Sequence, residues 1–454
     1  MSASVPPTSP GAGGELPPPP KRRRTLVAVA LACVCAVGLG LGLGLGLGLG
    51  GSGGGSPAAR TSFPPPATGG SQTGGSVPSR SASTIPRTGP KSAGGPGAPV
   101  ADSIDGVSCA PDGQCIAVGN SDVEGKVTTL AELRAPRSTA WTILPSANPP
   151  RTSLDQMDAV SCPSAAWCIA VGSSSAPPRA VVEIRRGGGF DLSQAPTRAT
   201  GTVLSGVACW DPARCVAVGS ETVAGVERPM VELLAGRTWT GAGGRARLRG
   251  SLSSVTCASP TRCVAVGAAI VAGIERPLVL DVLGRHVEPH VLAVRTASGS
   301  LFGVACGGGR SVSCVAVGAS EEAGAGARPL VYRGQAGRWV ALSGESRDAS
   351  DLAAISCTDE SPSRCLAVGS TALGRRLQPL VLIVGAKSWT AASPTSVQST
   401  ASALDAVDCR SSCVAAGSLL VGDGRIATLF GSVGPAGLVR EASASPGIRS
   451  GSVG

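Results

Sequence analysis

Cysteine is the residue type in this chain with the most legible chemistry, and fourteen of its sixteen cysteines fall in pairs within a recurring motif. The motif reads Ile/Leu/Met, two residues, Val/Ile, one residue, Cys, a short gap, Cys, an aliphatic residue, Ala, Val/Ala and Gly. It occurs seven times, as IDGVSCAPDGQCIAVG, MDAVSCPSAAWCIAVG, LSGVACWDPARCVAVG, LSSVTCASPTRCVAVG, LFGVACGGGRSVSCVAVG, LAAISCTDESPSRCLAVG and LDAVDCRSSCVAAG. The gap between paired cysteines is five residues in the first four copies, seven in the next two and three in the last. These lengths differ by two, and strand side chains alternate with period two, so both cysteines stay on one face of a hairpin at every length. That parity predicts disulfides Cys109–Cys115, Cys162–Cys168, Cys209–Cys215, Cys257–Cys263, Cys306–Cys314, Cys357–Cys365 and Cys409–Cys413. Each contributes about 2 kcal/mol on the loop-entropy model and requires an oxidising compartment. Zinc would need gaps nearer two residues and convergent ligands. The only histidines, His286 and His290, share one repeat, so no metal site and no cofactor is expected.

The other candidates are charged. Arg179, Arg228, Arg276, Arg328 and Arg376 precede equivalent apolar runs and predict a partial ring able to bind carboxylates or anionic polymers in a bidentate manner. Their competing role is local pairing with acids such as Glu227, Glu275, Asp158, Asp351 or Asp405. Tyr332, the only tyrosine, sits where other repeats carry packing residues. The pairs Asp102/Asp105 and Asp155/Asp158 recur at matching places and read as turn or capping residues. His286 and His290 read as exposed loop residues at the edge of one repeat. No catalytic constellation stands out.

Four strands per repeat position these residues. The two halves of the cysteine motif are short, β-branched and bounded by turn residues, and read as strands a and b. A variable loop and an apolar run follow (PRAVVEI, ERPMVELL, ERPLVLDVL, ARPLVYR, LQPLVLIV), giving strand c. After a turn, Trp141, Phe190, Trp239, Trp339 or Trp389 marks strand d, with Val287 and Leu438 in the equivalent places of repeats four and seven. Four-stranded units at intervals of 47 to 53 residues predict an all-β fold, a seven-bladed β-propeller of four-stranded blades. The residue three before each first cysteine is always Gly, Ala or Ser, as blades converging on a hub require. Ring closure is left open by the sequence, with 98–102 the only spare segment for an interlocking strand. The a–b hairpins share one face, stapled by disulfides. The longer b–c loops lie on the other, the expected binding face.

Upstream, the composition changes. Of the formal charge of +10, most lies in residues 1–100, which hold eight basic residues and one acid; the rest is nearly neutral, so a nucleic-acid surface is not expected. Residues 1–24 read as a disordered cytoplasmic tail ending in Lys21, Arg22, Arg23 and Arg24. Residues 25–50 are uncharged and long enough for a transmembrane signal anchor; basic residues on their N-terminal side predict a cytoplasmic N-terminus and an extracytoplasmic C-terminal domain. A cleaved export signal, giving a secreted protein, is the alternative. Cys33 and Cys35 lack a lipidation context. Residues 51–100 form a Gly/Ser/Pro-rich linker, 101–445 the propeller and 446–454 a tail.

The "SC…CVAVG" repeats resemble those of exported and membrane-anchored bacterial propeller proteins, a resemblance covering about 103–440 and specific to the repeat. Gly236-Arg237-Thr238-Trp239 is loosely similar to the turn of Asp-box propellers, but the Asp of that box is missing. These readings together predict a membrane-tethered extracytoplasmic module that binds an envelope protein or glycan without catalysis. The alternative is a carbohydrate-active hydrolase or lyase on the same scaffold.

Overall fold

The computed structural model describes residues 101–443, apart from 124, 151, 153, 176–177, 197–200, 244–247, 295–297, 308–311, 323–325, 336, 347, 359–364, 393–396, 411 and 423. The expected tails, membrane helix and linker, with Cys33 and Cys35, lie outside the described residues. Among those described, no helix is long and apolar enough to cross a membrane.

Twenty-eight strands are described, four from each repeat. In the first repeat strand a is Ala101–Cys109, b is Cys115–Val123, c is Lys126–Arg134 and d is Trp141–Leu144. They pair antiparallel in that order. The fold is an all-β propeller of four-stranded blades. Repeats two to six each form a separate four-stranded sheet, but the seven separate sheets expected from the repeats do not form. Five stand alone, and the first and last repeats join in one eight-stranded sheet. The cause is a single parallel bridge between Ala101 and Ile426, the first residue of the last c-strand (Ile426–Gly434). The same c-to-next-a contact recurs as isolated bridges at Val127–Leu154 and Leu377–Ala401. At Ala101 it falls inside a regular strand and so links two sheets.

All seven predicted disulfides are formed. Every a–b pair also carries a one-residue register shift, whose extra residue is Asp105, Asp158, Ser205, Ser253, Phe302, Ala353 or Asp405. The motif requires this bulge. Ile104 and Val107 are three residues apart, Val107 and Cys109 two, and all three join one core cluster, which strict alternation cannot achieve without an added residue. The motif's last Gly lies opposite. A Cβ on Gly119 would sit 1.9 Å from the Ser103 carbonyl oxygen, and one on Gly417 2.2 Å from that of Ala403. Gly119→Ala is therefore expected to push strand a outward and cost about 1–3 kcal/mol, read as a lower denaturation midpoint. The small hub residues face the next blade, since a Cβ on Gly106 would lie 2.9 Å from Ala159 Cα.

The core lies between blades. Ile116 and Val118 of the first repeat pack with Met157, Val160, Val181 and Phe190 of the second. At the closing interface Trp141 stacks on Phe430 with centroids 4.1 Å apart. Glu441 accepts hydrogen bonds from Arg134 Nη1 at 2.9 Å, Trp141 Nε1 at 3.0 Å and Ser432 Oγ at 2.6 Å. Nearer the hub, Asp408 Oδ2 accepts from the Cys109 N–H at 2.6 Å, the role that Ser108, Ser161 and Ser356 hydroxyls play for Cys162, Cys209 and Cys409 at 3.0 Å. The ring thus closes by side-chain and bridge contacts. Of the segment 98–102, residues 98–100 lie outside the described residues and Ala101 makes the bridge to Ile426; each repeat keeps its own four strands. Glu441→Ala would leave the buried Arg134 guanidinium without its counter-charge, and is expected to cost about 3 kcal/mol in thermal unfolding.

Candidate functional site: an acidic axial cavity

A cavity of about 360 Å³ lies on the axis, lined by the a-strands of all seven repeats from each bulge residue toward the first cysteine. It therefore occupies the hairpin half of the propeller, on the side stapled by disulfides and not on the b–c side expected from loop length. Its charged lining residues are Asp105, Asp158, Asp405, Asp408 and Arg410. The first three are bulge residues of the first, second and seventh repeats, which are neighbours around the ring. The other bulge positions, Ser205, Ser253, Phe302 and Ala353, make the remaining wall neutral. Asp405 is buried, Asp105 and Asp158 half-buried, and Gln156 Nε2 donates to Asp158 Oδ1 at 3.1 Å. A bulge redirects a side chain that a regular strand would bury. Clustered carboxylates within low-dielectric walls concentrate a negative potential. Trp210, 49% exposed, adds an aromatic surface on the hairpin of repeat three.

The aspartates expected to cap turns lie instead within strands, because strand a starts earlier than its apolar residues suggest. Asp102 and Asp155 are fully buried. Among the described residues no group of three or more His, Cys, Asp or Glu is placed to hold a metal ion. His286 and His290 belong to a d-strand (His286–Val291) and not to a loop, since the strand runs on past the turn; His290 Nε2 lies 3.0 Å from Asp281 Oδ2. Tyr332 is buried in strand c and donates to the Ala293 carbonyl at 2.9 Å.

The arginine arc lies at the start of the c-strands. Arg179, Arg228, Arg276 and Arg328 occupy matching register positions, opposite Ser174, Glu221, Ala269 and Ser320. In repeat six the matching residue is Gln378, and Arg376 stands two places earlier. Arg179 and Arg376 are exposed, the others half-buried; Arg328 Nη1 donates to the Ser346 carbonyl at 3.0 Å. Acids interleave with the arc: burial raises the pKa of Glu227 and Glu275, and for Glu275 the neighbouring carboxylates Glu321 and Glu227 add to it.

A second set of carboxyls is buried between blades. Glu132, Glu183 and Glu232 stand opposite Ala117, Ala170 and Ala217 on the c-strands of the first three repeats. Burial drives Glu183 up from 4.5 to about 8, against the hydrogen bonds it receives from Ser146 and Thr129.

The site and frame define a disulfide-stapled β-propeller. In fold it is similar to the GH74 xyloglucanase from Xanthomonas campestris (TM-score 0.46, 16% identity, covering 73% of this chain and 55% of that one). It is also similar to the β-propeller domain of the Trilobed protease from Pyrococcus furiosus (0.43, 7%, 72% and 94%) and to Chaetomium thermophilum Sqt1 (0.46, 13%, 76% and 89%). The chain spans about half the length of the xyloglucanase. No protein-family model matches it, and no curated protein matches it in sequence.

Proposed function

We propose that this chain is a membrane-tethered, extracytoplasmic propeller of seven four-stranded units that works as a non-enzymatic binding module at the cell envelope. Its axial cavity takes a positively charged group of an envelope protein or glycan. The observation that carries the reading is the presentation of Asp405, Asp105 and Asp158 into one cavity by the same bulge in three adjacent repeats. The count of seven takes the eight-stranded sheet as two units joined by the single bridge at Ala101 and Ile426. Seven disulfides support an oxidising exterior, and the uncharged stretch 25–50 behind Lys21 to Arg24 supports the tether. The arginine arc on the opposite face is a secondary contact surface for anionic chains.

The test uses a tetralysine probe titrated into the full-length protein. Replacing Asp105, Asp158 and Asp405 together by Asn is expected to weaken binding at least about tenfold, and added salt to weaken the wild type as ions screen the cavity charge. Equal binding by the variant would remove the reading. A second reading, glycoside hydrolysis, draws on the same carboxyls. Buried Asp405 beside half-buried Asp105 and Asp158 offers the unequal environments that an acid and its partner carboxylate need. Release of reducing ends from envelope glycans, abolished in the triple variant, would favour it.

A further inference from the structure

Between the first two blades lies a group of buried oxygens that the axial cavity does not use. Glu183 on the second c-strand (Pro178–Arg186) and Asp155 on the second a-strand (Asp155–Ser164) are each 1% exposed, as is Ser174, paired in register with Asp155. One oxygen of each, Glu183 Oε1, Asp155 Oδ1 and Ser174 Oγ, has no hydrogen-bond partner among the described residues. The other carboxylate oxygens are held by neutral donors: Ser146 Oγ donates to Glu183 Oε2 at 3.0 Å, the Ala147 N–H also donates to the Glu183 carboxyl, and Thr152 Oγ1 donates to Asp155 Oδ2 at 2.6 Å. Thr129 Oγ1, 2.5 Å from Ser146 Oγ, extends the set. Among the described residues, neither carboxyl is ion-paired to Lys, Arg or His. Two buried acids with unsatisfied oxygens and no counter-cation are costly and call for an explanation, such as a bound ion.

We infer that this interface holds a calcium ion ligated by Glu183, Asp155 and the hydroxyl oxygens around them. Once the incoming ion displaces the proton of Glu183, the two carboxylates match a double positive charge. The donor set is entirely oxygen, as hard cations require, and a mixture of carboxyl and hydroxyl donors suits calcium, which accepts six to eight oxygens in flexible arrangements, better than magnesium, which keeps an octahedral shell and several waters. The same residue types occupy matching register positions on the strands of the closing interface. There Asp102 and Glu132 are 0% exposed and the hydroxyls of Thr428 and Ser443 are bonded to each other. A calcium clamp between blades would stabilise the packing of one blade on the next without touching the axial site.

The experiment counts calcium bound by the full-length chain after chelator treatment, at about pH 8.5, where protons compete least for the carboxyls. The melting temperature is expected to rise by about 4 °C at a hundredfold excess over the dissociation constant. Glu183→Gln and Asp155→Asn are each expected to bind one ion fewer per chain than the wild type. Absence of calcium binding, or an unchanged count in both variants, overturns the site. Ser174→Ala guards against misfolding of either variant. It should weaken calcium binding about tenfold while the chelated chain keeps its melting temperature, and unchanged affinity in it likewise counts against the site.

Discussion

Reduction of the disulfides is expected to unfold the propeller. Each closes a loop between cysteines four to eight residues apart, worth about 2 kcal/mol on the loop-entropy model. Seven of them sum to roughly 14 kcal/mol, as large as the whole net stability of an ordinary domain. Little else in the composition replaces them: the chain has only eleven aromatic residues, and interblade packing relies on Val, Ala, Leu and Ile. Mild thiol reductant without denaturant should abolish the sheet signal in circular dichroism. Loss of a single pair, Cys257→Ser with Cys263→Ser, should cost about 2 kcal/mol and leave the ring closed. A fully reduced chain with an unchanged unfolding midpoint would show that the staples are dispensable.

Raising the pH is expected to produce the second large effect, through Glu183. An acid whose folded pKa, about 8, lies above its ordinary 4.5 holds its proton more tightly in the folded state. Stability is then complete below about 4.5 and falls as pH rises toward 8, by up to about 4–5 kcal/mol. The measurement is the urea midpoint of chelated protein from pH 5 to pH 9, with Glu183→Gln as the control that flattens the profile. A wild type as stable at pH 9 as at pH 5 would mean that water or local opening relieves the buried charge.

The frame was legible in the residues because it is written seven times. Cysteine parity implied hairpins, and the register then places Trp141, Phe190, Trp239, Val287, Trp339, Trp389 and Leu438 at one equivalent position, each facing the residue paired with the second cysteine. Most of the site was hidden. The three-then-two spacing of Ile104, Val107 and Cys109 is the mark of the bulge that turns Asp105 to the axis. Read without it, Asp105 and Asp158 look like turn residues, and loop length points to the face opposite the cavity. The fusion of the first and last sheets could not be read at all, because a single bridge between Ala101 and Ile426 has no sequence pattern. Glu183 was equally opaque. Its strand position is an ordinary one, and Ser146 and Thr129 reach it from the neighbouring blade, a contact with no sequence pattern.

Binding in the axial cavity is tested most directly by covalent mapping. Tetralysine bound to the full-length protein is coupled to nearby carboxylates with a carbodiimide, and the joined residues are identified by mass spectrometry. Coupling to Asp105, Asp158 or Asp405, suppressed by salt, is the result expected of a cation held on the axis. Coupling confined to Glu227, Glu275 and Glu321 on the opposite face would contradict it.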